Sequence, residues 1–135
     1  METSKELMYK AYRCKKGSRI PFSPSVYEHR GFLIGRSPSE IAQDPELMYE
    51  GLLAEHETYH GDFMTVGVDL YNVEAEALGA KVSFFEDSNS VPGIAGKIIK
   101  SKDDFYKLKI PDPEKAGRMP MHLEVAERIH KKLGN

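Results

Sequence analysis

A short apolar run directly after an amphipathic helix constrains the fold of this chain more than any other feature. Residues 63–68, Phe-Met-Thr-Val-Gly-Val, are apolar or β-branched around one glycine, and the run ends at Asp69. A run of this length directly after a helix is typical of a strand buried in a parallel sheet. The sequence therefore predicts a strand over residues 63–68, with Asp69 at its C-terminal end.

The helix before this run has two start signals. The tetrapeptide SPSE at 37–40 places serine at the N-cap, proline at N1 and glutamate at N3, and DPE at 44–46 repeats the pattern. Apolar residues at helical spacing follow, and Gly61 ends the helix. We expect two helices with a break between them, or one kinked helix.

The remaining patterns complete an α/β order. Thr3 and Glu6 have the spacing of a capping box, which predicts a first helix over residues 4–16. A short strand is predicted at 19–23, followed by a turn-rich loop to Gly35, and a turn of helix or a loop is predicted at 72–79. A β-excursion follows, with strands at 81–85 and 96–100 around the turn-rich EDSNSVPGIAG. The last elements are a short helix from Ser101 and a helix over 120–133 with Gly134 at C′. An order of α-β-α-β, excursion and α is that of an α/β protein.

Composition excludes several classes of protein. The net charge is −2 with acidic and basic residues interspersed, so no basic stripe predicts a nucleic acid or an anionic membrane as partner. The apolar runs are too short to span a bilayer, and the N-terminus lacks the apolar core of a signal peptide. The single cysteine, Cys14, excludes an internal disulfide, and we expect it to be a reduced, half-buried helix residue. These features predict a cytoplasmic protein.

His56-Glu57-Thr58-Tyr59-His60 matches the H-E-x-x-H pattern of zinc peptidases. On a helix, residues i and i+4 share a face, so two imidazoles could bind one zinc ion while the glutamate activates a water. Three features count against this interpretation: Gly61 breaks the helix at once, charged residues flank the motif, and no third ligand is near in the predicted fold. The alternative is a partly exposed helix whose two histidines are surface groups.

Two charged residues are better candidates for a functional site. Asp69 lies at the predicted carboxyl end of a strand, where sites form in parallel α/β proteins and in β/α barrels. There it can accept hydrogen bonds from substrate N–H groups or stabilise a developing positive charge, although a helix N-cap is an equal alternative. Arg30 follows the first predicted strand with Tyr27, Glu28 and His29, and its guanidinium can bind a substrate carboxylate. The alternative for Arg30 is a solvated loop residue.

The ordered set of segments resembles the N-terminal part of the uroporphyrinogen decarboxylase superfamily, which also contains corrinoid-dependent methyltransferases. The resemblance covers nearly all of the chain, and VGVDLYNVEAEALG and PDPEKAGRMP are its most specific segments. It implies a (β/α)8 TIM barrel, of which residues 1–135 would form a single partial domain. Residues 1–17 would supply the N-terminal helix, and residues 18–134 the first two strands with their helices, the excursion and the terminal helix.

The resemblance also implies site residues. Asp69 matches an aspartate that contacts the pyrrole N–H groups in the decarboxylases. Those enzymes carry two arginines in an R-Q-A-G-R-Y segment, and here Arg30 matches the second while Val26 replaces the first. The Tyr27-Glu28-His29 sequence is closer to the methyltransferase-like branch, in which His29 and Tyr27 would lie beside substrate.

These implications leave several functions open. The first is the N-terminal part of a methyltransferase-like protein, which we expect to be inactive alone. The full-length protein would use zinc and a corrinoid protein, whereas we expect no cofactor in this chain itself. The alternatives are part of a tetrapyrrole decarboxylase, a non-catalytic remnant that associates with itself, and the disfavoured zinc peptidase. In each of the barrel-derived cases the expected partner is the remainder of the barrel or another copy of the chain.

Overall fold

The computed structural model describes residues 2–85 and 89–134 and is mostly helical. In chain order the elements of these ranges are α1 (Ser4–Tyr12), α2 (His29–Ile34), α3 (Pro38–Ile41), α4 (Pro45–Tyr59), α5 (Leu70–Ala77), β1 (Lys81–Ser83), β2 (Gly93–Ala95), α6 (Lys102–Lys107) and α7 (Met119–Leu133). No helix in the described ranges has the length and apolar character needed to span a membrane.

Hydrogen bonds from capping side chains define the starts of α1, α3 and α4 where the sequence predicts them. Thr3 with Glu6 and Ser37 with Glu40 both form complete capping boxes. The Asp44 carboxylate accepts hydrogen bonds from the first backbone amides of α4. The predicted break between two helices is therefore confirmed, with α3 and α4 each starting at its own cap.

The core lies where α4 packs against α2, α3 and α7. Met48 and Leu52 of α4 and Val125 of α7 are fully buried there. Burying side chains of this size stabilises the fold by roughly 1.5–3 kcal/mol each. Val68, from the apolar run after α4, belongs to the same cluster, and Met64 and Val66 pack against it, whereas Phe63 at the start of the run is exposed.

The predicted strands at 19–23 and 63–68 are absent from the described residues. The backbone N–H of Asp62 donates to the carbonyl of Phe22 at 2.7 Å, so the two segments do lie side by side. A ladder needs a regular series of such bonds. The carbonyls of Thr65 and Gly67 instead accept hydrogen bonds from a side chain, that of Arg30.

The predicted β-excursion is confirmed as an antiparallel pair. Lys81 faces Ala95, and Ser83 faces Gly93. The second strand lies at 93–95 and not at 96–100, because Gly96 has a positive φ of 86° that turns the chain out of the strand. Part of the predicted turn, residues 86–88, lies outside the described residues.

Five further expectations need correction or refinement. Residues 29–34 form α2, so His29 and Arg30 are helical and not in a loop. α1 ends at Tyr12, and Cys14 beyond it is exposed with a left-handed backbone, not half-buried in a helix. Residues 70–77 form a full helix, α5. Gly134 is the C-cap residue of α7, with an extended backbone, and not its C′ residue.

Candidate functional site

Asp69 is held in a buried ion pair at the end of the apolar run. It occupies the N-cap position of α5, but its side chain caps no helical amide. Its carboxylate instead accepts hydrogen bonds from Arg118, from Nη2 at 2.7 Å and from Nη1 at 3.2 Å. The Asp69 side chain is inaccessible to solvent and that of Arg118 is nearly so. A bidentate pair of this kind fixes both position and orientation of the carboxylate.

Arg118 also contacts three other groups around the same point. Its Nε donates to Glu76 at 2.6 Å, its Nη1 donates to the carbonyl of Ala42 at 3.0 Å, and its guanidinium lies 5.2 Å from the centre of the Phe84 ring. Two carboxylates therefore surround one guanidinium, which leaves the cluster with a formal charge of −1. We call Asp69, Glu76 and Arg118 the carboxylate cluster.

The charge of Arg118 is stabilised by this arrangement. Burial disfavours the cation, but the hydrogen bonds to Asp69 and Glu76, with the negative charge of both, outweigh burial and raise the pKa of Arg118 above its ordinary value. The guanidinium therefore stays charged throughout the physiological range, and it neutralises only one of the two carboxylates.

A glycine lets Arg118 reach the cluster. Gly117 has a φ of 52°, and a Cβ at this position would lie 3.2 Å from the backbone nitrogen of Ala77 in α5. The left-handed turn and the close approach both favour glycine. The segment before α7 is thereby pressed against the end of α5, where Glu76 and Arg118 meet.

Arg30 lies in a second buried ion pair, with Glu55 of α4. Its Nε and Nη2 donate to one oxygen of Glu55 at 2.8 and 2.5 Å. Nη1 donates to the carbonyl of Gly67 at 2.9 Å, and Nη2 donates to that of Thr65 at 2.9 Å. Arg30 is 1% exposed and Glu55 2% exposed. The guanidinium thus joins α2, α4 and the apolar run that leads to Asp69.

His29 is the exposed first residue of α2, and Tyr27 lies in the turn before this helix. The His29 Nε2 and the Tyr59 hydroxyl are 2.7 Å apart, and the His29 ring stacks on Phe32 at 5.3 Å. Tyr27 is half-buried and has a positive φ of 35°, an uncommon conformation for a bulky residue. Its carbonyl accepts the backbone N–H of Arg30, so this turn starts α2.

The family model for uroporphyrinogen decarboxylase (URO-D) matches residues 3–135. The chain belongs to the uroporphyrinogen decarboxylase family. The resemblance drawn from VGVDLYNVEAEALG and PDPEKAGRMP is therefore confirmed, and these two segments contribute Asp69 and Arg118 to one cluster. Comparison with curated proteins and comparison with solved structures each found no match.

Membership of the uroporphyrinogen decarboxylase family implies a TIM barrel. The described residues are mostly helical and contain the two-stranded excursion. The barrel strands themselves are not formed in these residues, so the partial-barrel interpretation stays a prediction.

The structure groups the predicted site residues of this family member into separate pairs. Asp69 is joined to Arg118, Arg30 to Glu55, and His29 to Tyr59. The roles of Asp69, Arg30, His29 and Tyr27 toward a substrate remain predictions. Sequence reasoning assigned no role to Arg118 or Glu55, although Arg118 lies in one of the two segments that carry the family resemblance.

The residues of the zinc-peptidase pattern, His56 to His60, do not form a metal site with neighbouring side chains in the described residues. α4 ends at Tyr59, and His60 is its C-cap with a left-handed backbone, φ 51°, so the motif does not lie within one continuous helix. The two imidazole rings are 6.3 Å apart and nearly perpendicular. Residues 2–85 and 89–134 contain no group of three His, Cys, Asp or Glu side chains placed to bind one metal ion.

Proposed function

We propose that this chain supplies part of the catalytic site of a methyltransferase-like protein of the uroporphyrinogen decarboxylase family, with Asp69 as its functional carboxylate. The observation that carries the proposal is the carboxylate cluster, whose Asp69 is buried and in which the two most family-specific segments of the sequence meet. A buried carboxylate that is held rigidly is the kind of group that recognises N–H donors or a developing positive charge.

The charge of the cluster supports this role. Asp69 and Glu76 carry two negative charges against the single positive charge of Arg118. The uncompensated charge favours a substrate that presents N–H groups or a cationic centre. A bound substrate of this kind would share Asp69 with Arg118 or displace the guanidinium toward Glu76.

The surroundings of Arg30 favour the methyltransferase-like branch over the decarboxylase alternative. A porphyrinogen with several carboxylates calls for free guanidiniums. Val26, which replaces the first arginine of the decarboxylases, is buried, and Arg30 is already neutralised by Glu55. Arg30 would bind a substrate carboxylate only by exchanging Glu55 for it. His29 and Tyr27 are retained as proposed substrate contacts.

The proposed partners follow from the family. A corrinoid protein would bring the methyl group, and other barrel segments or a second copy would complete the site. Zinc at such a site would activate an acceptor thiol, but the described residues do not supply a ligand set for it, so we assign no zinc ligand to this chain. We propose that the chain acts in the cytoplasm and is inactive by itself.

The test compares two samples. One is the isolated chain, and the other is the assembly that is purified with a tagged form of the chain from the cells in which the chain is encoded. Methyl transfer from a methylated corrinoid protein and formation of coproporphyrinogen are both measured. We expect methyl transfer by the assembly and not by the isolated chain. Asp69→Asn should reduce the rate at least a hundredfold, and Asp103→Asn, at an exposed aspartate of α6, should leave it unchanged. Coproporphyrinogen formation would favour the decarboxylase alternative, and an assembly inactive in both assays would contradict the proposal.

A further inference from the structure

The side chain of Arg30 is fully committed to bonds within the protein. Four hydrogen bonds leave its guanidinium, two to Glu55 and one each to the carbonyls of Gly67 and Thr65. With 1% of its surface exposed, Arg30 has no open side toward solvent. This is the arrangement of a residue that holds other groups in place.

The two carbonyls that Arg30 binds belong to the segment that ends at Asp69. This segment has the composition of a strand but forms no ladder in the described residues. Buried backbone carbonyls need hydrogen-bond partners. Arg30 supplies partners for the carbonyls of Thr65 and Gly67, and Gly67 has a positive φ of 97°, so the two bonds hold a segment in which the chain turns. The guanidinium therefore acts as a template for the conformation of residues 65–67.

Glu55 and Gly51 make this use of an arginine feasible. They lie one helical turn apart on the same face of α4. Glu55 balances the buried positive charge, and Gly51 leaves room for the arginine stem, since a Cβ there would lie 2.7 Å from the Arg30 Cγ. An apolar pair of similar volume often serves stability equally well, so the buried Arg30–Glu55 pair points to a role in specificity.

We infer that Arg30 is a positioning residue, which orders residues 65–67 and thereby aims Asp69 at Arg118. This inference rests on the proposed function only in calling Asp69 the functional carboxylate. Glu55 acts through Arg30 as its counter-ion. Asp69 follows Gly67 by two residues, so the conformation set at residues 65–67 fixes where the carboxylate enters the cluster.

Nuclear magnetic resonance of the full chain tests this directly. The variants are Arg30→Lys, which keeps the charge but loses the planar fork, and the apolar pair Arg30→Met with Glu55→Leu. Arg36→Lys, at an exposed arginine of the same region, is the matched control. The readouts are backbone order parameters of residues 65–69 and the side-chain N–H signals of Arg118, with order parameters of α4 and α7 as the measure of global folding.

We expect order parameters near 0.85 at residues 65–69 in the wild type and below about 0.6 in both Arg30 variants, with α4 unchanged. The Arg118 N–H signals should shift in the same variants and not in Arg36→Lys. Unchanged order at residues 65–69 in either folded variant would overturn the inference.

If both variants fail to fold, hydrogen exchange of the Arg30 guanidinium in the wild-type protein tests the inference instead. Slow exchange with solvent of the Arg30 guanidinium protons supports the assignment, and rapid exchange overturns it. None of these readouts depends on catalysis. An inactive assembly with an ordered, Arg30-dependent segment would therefore refute the proposed function alone.

Discussion

Arg118 donates two hydrogen bonds to the carboxylate of Asp69 across 49 residues of sequence. The pair joins the start of α5 to the start of α7, and Glu76 on the next turns of α5 shares the same guanidinium. Because the Asp69 side chain is wholly buried, the bond has consequences for stability as well as for any substrate that approaches.

Removing Arg118 should destabilise the protein strongly. Arg118→Met leaves the Asp69 carboxylate buried without a counter-ion, and breaking a buried pair in this way costs about 3–5 kcal/mol. Denaturant unfolding followed by circular dichroism measures the loss. Arg36→Met, which breaks an exposed pair with Glu40, should change the unfolding free energy little. Equal effects of the two substitutions would show that the Asp69 pair contributes no more than a surface pair.

Gly51→Ala should destabilise α4, although alanine is normally the better helix former by about 1 kcal/mol. The added methyl group would lie 2.7 Å from the Arg30 Cγ, and overpacking of this kind costs about 1–3 kcal/mol. The four hydrogen bonds of Arg30 oppose its retreat, so we expect a net loss of up to about 2 kcal/mol.

The control for this prediction is Thr58→Ala on the exposed face of the same helix, which should be neutral or stabilising. Both variants are compared by their denaturation midpoints. A more stable Gly51→Ala protein would mean that Arg30 moves freely, contrary to its proposed positioning role.

The sequence predicts the starts of α1, α3 and α4 well because capping is local, whereas it misses α2, whose N-cap Glu28 makes no side-chain cap bond. Ser37 and Glu40 satisfy each other within one turn, so the capping box is readable without knowledge of the fold. The run at 63–68 is read less well, because a strand exists only with a hydrogen-bonded neighbour, and here the carbonyls of that run bind Arg30.

The candidate site is predictable only in part for the same reason. The position of Asp69 at the end of an apolar run follows from local pattern. Its partner Arg118 does not, since spacing along the chain gives no information about a contact 49 residues away. Glu55 was considered only as a charged flank of the HETYH motif, and its pairing with Arg30 depends on how α2 packs against α4.

The stability of the protein should fall in acid partly through Asp62. Hydrogen bonds from Arg19 are the main reason why the pKa of Asp62 lies well below its usual range. Burial raises this pKa, but hydrogen bonds from the Ser4 hydroxyl and the Phe22 backbone N–H lower it further. A carboxyl whose pKa is lowered on folding contributes stability above its unfolded pKa, near 3.9. That contribution is lost as pH falls through this value toward the lower pKa of the folded state.

Unfolding free energies measured from pH 7 down to pH 3 test this. The fall below about pH 5 should be steeper in the wild type than in Asp62→Asn. The exposed-site variant Glu57→Gln should follow the wild-type curve. Parallel curves for the wild type and Asp62→Asn would show that the Arg19 bond does not persist in solution.

Large apolar side chains on the surface predict association. Ile20 is 88% exposed, Tyr71 91% and Ile110 98%. Exposed apolar surface in excess of a few isolated side chains marks an interaction site or an aggregation liability. We expect the isolated chain to associate with itself or to bind a hydrophobic dye, as measured by light scattering coupled to size exclusion and by dye fluorescence. A monomer that binds no dye would contradict the expected need for other barrel segments or a second copy.

Zinc should bind the HETYH motif weakly and without fixed stoichiometry. A catalytic zinc site uses three protein ligands, and the described residues place no third ligand with His56 and His60. Calorimetric titration of the purified chain is the measurement, with His60→Ala and, in α7, His122→Ala as matched variants. We expect the three proteins to behave alike. Tight binding of one zinc ion that is lost in His60→Ala and kept in His122→Ala would restore the peptidase interpretation, because it would require the end of α4 to rearrange around the metal.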